Sequence, residues 1–331
     1  MKKIINLLVC LLFVSCTNGI NGVNTDLSTY NFSTVEELNK YIQNNINNLD
    51  FQNDPYGDLL YCNLGKYKIK FDPYNAEIIK NKILLPYSYT FDGVWGSSYA
   101  IYELTENRKG GVLLSFDDYF YENWDNILEV FDEYNIKATF FCMGDITRTG
   151  LKKFIYKVQS YGLEAGYHTL NHKVLTNCTE EELYQQVIDP INTFRKYGIE
   201  FSSFSFPGGG IPKDEKLFNM VKETFKIVRS SGLGRVNLYY TREEIEDGFI
   251  YGSSFDQLFF ETDDSFRNMI KMRLIIAKLT DKIWPGFGHY FLSENEEKDD
   301  LDYTIKVSNL KYMLELINEL ELTSYLYKDF Y

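Results

Sequence analysis

The sequence predicts an α/β fold built on a parallel sheet, and three observations carry that expectation. From Gly110 onward, short apolar runs alternate with stretches of helical period. The apolar runs are continuous rather than alternating, as in strands covered on both faces. The residues best suited to chemistry, Asp117, Asp118, His168, Pro207 and His289, stand at the carboxyl ends of those runs. Barrels and open α/β sheets collect their sites at those ends. Periodicity does not separate a closed barrel from an open sheet.

Taken in order, Gly111 to Phe116 reads as a strand, followed by a helix with Trp124, Leu128, Phe131 and Tyr134 on one face. Lys137 to Phe141 is a second strand, Leu151 to Val158 a helix, and Leu163 to Gly166 a short strand leading to His168. Thr179-Glu180-Glu181-Glu182 is a capping box. It opens a helix along Tyr184, Val187, Ile188 and Ile191, in which Pro190 is expected to introduce a kink. Phe201 to Phe206 is a strand ending in Pro207-Gly208-Gly209-Gly210. A helix from Asp214 to Phe225 and a strand from Lys226 to Arg229 follow. Phe266 to Leu279 is helical and Ile283 to His289 a strand. A last helix, lined by Leu310, Met313, Leu314 and Ile317, precedes a strand from Ser324 to Tyr327.

The chain divides into four parts by composition. Residues 1–16 read as a lipoprotein-type signal peptide. Lys2 and Lys3 precede an apolar run too short to span a bilayer, and Phe13-Val14-Ser15-Cys16 resembles a loose lipobox with Cys16 as the lipidated residue. Ordinary signal-peptide cleavage is the alternative, because Phe13 stands where Leu is usual. Residues 17–35, rich in Asn, Ser, Thr and Gly, read as a flexible tether. Residues 36–109 form an N-terminal extension with no assignable role, including a helix from Val35 to Ile46 and strand-like Tyr87 to Phe91. Residues 110–331 carry the candidate chemistry. The expected location is therefore exported and membrane-anchored, in a bacterial cell envelope.

A net charge of −13 over 331 residues argues against a nucleic-acid partner, which needs a basic face. Cys62, Cys142 and Cys178 are odd in number and show no CxxC spacing, so no disulfide framework is expected.

The motifs point to a hydrolytic metal centre. His168 and His172 are two of only three histidines and stand four apart, a spacing that places both on one side of a helical turn. With Asp118 they supply two imidazoles and a carboxylate, leaving an open position. Asp117 and His289 remain as a base and an acid. Pro207, Gly208 and Gly209 form a permissive loop whose Gly208 N–H suits an oxyanion. Against each stands a plainer reading: a turn or capping aspartate pair, a structural histidine, a simple Gly-rich turn.

Ser115-Phe116-Asp117-Asp118, His168 to His172, Ser205 to Gly209 and Phe287-Gly288-His289, in that order, resemble the motifs of the polysaccharide deacetylases, the NodB-homology or carbohydrate esterase four family. Lys137 to Gly144 is similar to a further strand of that family. The resemblance covers roughly residues 110–331. It implies a distorted (β/α) barrel with fewer than eight regular units. It implies Zn²⁺ or another divalent transition metal on Asp118, His168 and His172, with Asp117 as general base and His289 as general acid. The reaction implied removes an acetyl group from an N-acetylated glycan, with Phe287 lining the acetyl pocket and Trp284 supplying an aromatic wall. The sequence departs from the family at three points. Tyr119 stands where many members have Gly. Ser205 stands where many place an Arg that orients the catalytic aspartate, and Arg229 is the candidate substitute. Gly208 replaces an aromatic residue. Two other readings stay open: an inactive carbohydrate-binding lipoprotein of this fold, and a metal-dependent amidase or esterase acting on a non-sugar substrate.

Overall fold

A computed structural model of the chain describes residues 30–331 apart from 55–58, 105–107, 233–236, 257–259, 261, 294–295 and 297–302. The signal peptide, Cys16 and most of the tether lie outside the described residues.

Thr34 caps the first helix, Val35–Asn45, by accepting from the Glu37 N–H. The helix buries Leu38 and Ile42 in one core with Ile69 and Leu85 of an antiparallel sheet. That sheet comprises β1 (Gln52–Asn53), β2 (Leu60–Leu64), β3 (Tyr67–Phe71), β4 (Glu77–Ile79), β5 (Lys82–Phe91) and β6 (Val94–Glu103). Clean alternation of burial along β3 and β5 marks one face packed and the other turned to water.

The next strands are β7 (Gly111–Val112), β8 (Ser115–Asp118), β9 (Thr139–Cys142), β10 (Glu164–Tyr167), β11 (Ser203–Ser205), β12 (Ile227–Ser231), β13 (Phe249–Ser254), β14 (Ile283–Trp284) and β15 (Gly286–Gly288). Seven of them close a barrel in the order β10-β11-β12-β13-β15-β8-β9, every pair parallel. The expected (β/α) barrel is therefore present, with seven strands. After it come β16 (Tyr290–Leu292) and β17 (Thr304–Lys306), paired beside the barrel mouth, and β18 (Thr323–Ser324). Phe116 of β8 packs among Phe131, Phe140 and Phe291. Each such fully buried ring contributes about 1.5–3 kcal/mol.

Several elements differ from expectation. The runs Gly111–Phe116 and Ile283–His289 each break in two. β7 joins β14 and β18 in a small separate sheet, while β8 and β15 pair in the barrel. The second break falls at Pro285, which has no N–H for a ladder. β13 was not foreseen, because Gly252, Ser253 and Ser254 dilute its apolar run. The helix after β8 is two short ones, Tyr121–Asp125 and Leu128–Glu133. The closing strand is only β18, followed by a 3₁₀ turn over Tyr327–Phe330. At Pro190 the chain forms a π-helical turn, Tyr184–Ile188, leading into the helix Asp189–Lys196. Such a bulge frees the carbonyl that the missing proline N–H would otherwise serve. Cys62, Cys142 and Cys178 are free thiols.

Candidate active site

β8 is adjacent to neither β11 nor β12, so a side-chain contact from it to either strand crosses the barrel interior. Two such contacts exist, and a third links the neighbouring strands β11 and β12. The Ser205 hydroxyl donates to Asp117 Oδ2 at 2.9 Å, and the Arg229 guanidinium donates to the same oxygen and to the Ser205 hydroxyl oxygen. Arg229 is 1% exposed and Asp117 4%. Arg229 is held between rings, 4.2 Å from the Phe287 centroid and 5.4 Å from that of Phe141. Room for its stem comes from Gly252, where a Cβ would stand 2.9 Å from Arg229 Cδ and 3.1 Å from Phe287. Burial alone would raise the Asp117 pKa. The charge of Arg229, with lesser help from His168 and His289, instead holds it below the usual carboxylate range. Asp117 therefore stays ionised. Its Oδ1, buried and without a hydrogen-bond partner among the described residues, is left as an acceptor.

One residue further, the backbone turns. Asp118 has φ 99°, and in the histidine loop Thr169 has φ 66° and His172 φ 63°. Non-glycine residues at positive φ cost about 1–3 kcal/mol each and concentrate at functional sites. The loop is a turn rather than the expected helical one, for this reason. It is tied down by backbone bonds from His168 N–H to the Cys142 carbonyl and from Leu170 N–H to the Gln186 carbonyl, both at 2.9 Å. Pro190 lies four residues after Gln186 and has no N–H to offer that carbonyl. The carbonyl instead serves Leu170 and the Tyr167 hydroxyl.

The result is a compact donor set. Asp118 Oδ1 lies 3.5 Å from His168 Nε2 and 3.2 Å from His172 Nε2. The three ligand atoms lie within 4.8 Å of one another. A tetrahedral ion with bonds of ~2.1 Å sets its ligands about 3.4 Å apart, so the residues fit a divalent transition metal. The tautomer agrees. His168 Nδ1 lies 2.8 Å from the Ser205 carbonyl, which accepts its N–H and leaves the Nε2 lone pair for a cation. Asp118 Oδ1 is buried and lacks a hydrogen-bond donor among the described residues. Burial would raise the Asp118 pKa, but the close approach of the His168 and His172 rings depresses it strongly. His172 is raised in turn, chiefly by the nearby Asp118 carboxylate.

Asp117, Asp118, His168, His172, Gly208, Gly209, Arg229, Phe287 and His289 all line one cavity of about 540 Å³. The loop after β11 is a 3₁₀ turn over Pro207–Gly209 with Gly208 at φ 56° and Gly209 at φ 68°. A Cβ at Gly209 would strike Ser231 Oγ at 2.0 Å, so this turn requires glycine. The structure does not bring Trp284 to the cavity. It is fully buried in β14, with its indole N–H donating to Ser253 Oγ at 2.7 Å.

Sequence reasoning missed Asp256. This fully buried carboxylate accepts from the His289 backbone N–H at 3.1 Å, and His289 Nδ1 lies 2.8 Å from its Oδ2. His289 Nδ1 thus carries its proton toward Asp256. Burial lowers the imidazole pKa, but the charge and hydrogen bond of Asp256 outweigh it, and the net value is pushed up to about 9. The signal was present, since Asp256 lies just past a strand end as His168 does, but the sequence does not announce that strand.

Comparison with known proteins follows the motifs. Residues 105–224 match the family model described as polysaccharide deacetylase. Two Bacillus cereus proteins named peptidoglycan-N-acetylglucosamine deacetylase are similar. One is 30% identical over 129 residues, 38% of this chain and 58% of its own length. The other is 27% identical over 138 residues, 41% of this chain and 50% of its own length. The chain thus spans about half the length of these curated relatives. Among solved structures, a mutant of a carbohydrate esterase four pseudoenzyme with restored enzymatic activity covers 88% of this chain and 97% of its own, at 13% identity and TM-score 0.47. Asp117, Asp118, His168, His172 and Ser205 fall within the matched segment, whereas Arg229, Asp256 and His289 fall beyond it. The similarity to the polysaccharide deacetylase family thus rests on residues 105–224, about a third of the chain.

Proposed function

We propose that the protein is a metal-dependent hydrolase removing N-acetyl groups from an amino-sugar polymer or oligosaccharide. One observation carries the reading: the Asp118, His168 and His172 ligand atoms, the free Oδ1 side of Asp117 and the His289 imidazole share one cavity.

A divalent cation on that donor set supplies Lewis acidity for the acetamide carbonyl and for water. The chain's residues supply the rest. Asp117 accepts a proton from the attacking water at Oδ1, while Ser205 and Arg229 fix Oδ2 and so the direction of the carboxylate. The water oxygen forms a bond to the carbonyl carbon, and the Gly208 N–H stands beside the developing oxyanion. His289, held protonated at neutral pH by Asp256, gives a proton to the departing nitrogen as the C–N bond breaks. Acetate and a free amine result. Phe287 lines the cavity where the acetyl methyl would rest.

The Asp-His-His set suits Zn²⁺ or another divalent transition metal, and export with lipidation at Cys16 is the proposed location. Zinc-loaded protein should release acetate from N-acetylated chito-oligomers or peptidoglycan, and a chelator should abolish release. Protein that binds zinc yet frees acetate from neither substrate refutes the deacetylase reading and favours a glycan-binding role.

A further inference from the structure

A second cavity, of about 670 Å³, adjoins the catalytic one, and the two share Tyr119 and Phe120 as a common wall. Its size is that of a ligand site rather than a packing defect. Tyr119 is the half-exposed part of that wall, at 48%. The positive φ of Asp118 turns the backbone there, so that Asp118 meets the two imidazoles while Tyr119 faces both cavities. The Tyr119 ring is held in place on its own side of the mouth. It stacks on Phe120 with centroids 4.9 Å apart and planes at 30°, and the Arg148 guanidinium lies 4.9 Å from its centre. Phe120 is in turn braced edge-on by Tyr290, at 5.3 Å.

A rigid, half-exposed aromatic face beside a reaction centre suits a flat apolar ligand face, and the CH face of a pyranose ring is one. The charges around the second cavity are mixed, with Arg148 against Glu122 and Glu296. They do not select a polyanion, and they offer partners to hydroxyls. We propose that Tyr119 is the platform for the sugar ring next to the one being deacetylated, so that this protein reads at least two linked, uncharged rings. The proposal rests on the amino-sugar reading of the site. It assigns the specificity to a residue that departs from the family's usual Gly.

The test is binding rather than turnover. Zinc-loaded Asp117→Asn protein is titrated by calorimetry with N-acetylated chitotetraose and with monomeric N-acetylglucosamine. Adding Tyr119→Gly should weaken the tetramer about tenfold and the monomer less than threefold, and Tyr119→Phe should retain tetramer affinity. A second measurement guards against damage to the double variant: in the otherwise wild-type chain, Tyr119→Gly should lower the ratio of kcat/KM for tetramer over aryl acetate about tenfold. Tetramer affinity within twofold of the parent, equal losses for tetramer and monomer, or no binding of the tetramer by the parent overturns the platform. Wild-type protein that binds tetramer through Tyr119 but releases no acetate instead refutes the deacetylase reading and leaves the platform standing.

Discussion

Ser205 and Arg229 are register partners on adjacent parallel strands, and both direct a donor at the same oxygen of Asp117. The motif resemblance would put an arginine where Ser205 stands, and the cation here stands one strand over at the same height of the barrel. The move is possible because a barrel interior is shared space. What matters to Asp117 is the position of the guanidinium, not the strand that delivers it.

Arg229→Ala should be severe in both stability and activity. It leaves a buried carboxylate without its cation, which costs about 3–5 kcal/mol where such pairs are broken. Denaturant unfolding and acetate release measure the two effects. The double variant Arg229→Ala with Asp117→Asn should recover stability but not turnover. A single variant as stable as the wild type would show that the pair is not the anchor described.

Gly252→Ala should disturb the same carboxylate indirectly. The added Cβ meets Arg229 Cδ at 2.9 Å and Phe287 at 3.1 Å. Overpacking of this kind costs about 1–3 kcal/mol. Turnover should fall while the zinc content stays at one per chain. Unchanged kcat would mean that Arg229 has slack the structure does not display.

His172→Ala should lose zinc and turnover together while the fold survives, because its side chain is 45% exposed. Asp117→Asn should keep zinc and lose turnover by roughly 10²–10⁴-fold. Metal analysis after gel filtration separates the two. Zinc retained at full occupancy in His172→Ala would remove His172 from the ligand set.

Pro190→Ala tests the link between the π-helical turn and the histidine loop. Alanine restores an N–H that can close on the Gln186 carbonyl and compete with Leu170. Zinc affinity should fall by about tenfold, the low end for changes behind a ligand, without loss of thermal stability. Competition titration with a chromogenic chelator reads the change.

The pH dependence follows from His289. In the proposed mechanism its protonated form is the proton donor, and its pKa is raised to about 9 by Asp256 against the effect of burial. Activity dependent on that donor is retained below the folded pKa and lost as pH rises through it. Asp256→Asn removes the charge that raises the value, so the alkaline limb should move to lower pH. A limb unmoved in Asp256→Asn would assign it to another group.

The amino-acid sequence by itself determined the chemical inventory. A double aspartate, a histidine pair and a late histidine, each just past an apolar run, announced the donor set and the strand ends that hold it. Those signals are local, because strand ends and turn residues are written within a few positions of one another. The sequence also named Arg229 as a candidate, without the means to place it. Tertiary structure decided that Arg229 reaches Asp117, 112 residues earlier, across the barrel. It decided that Asp256 holds His289, that Trp284 faces away, and that the two long apolar runs divide between sheets. Each of these depends on barrel closure and strand register, and register is set by packing between segments distant in the chain rather than by the residues of either segment alone.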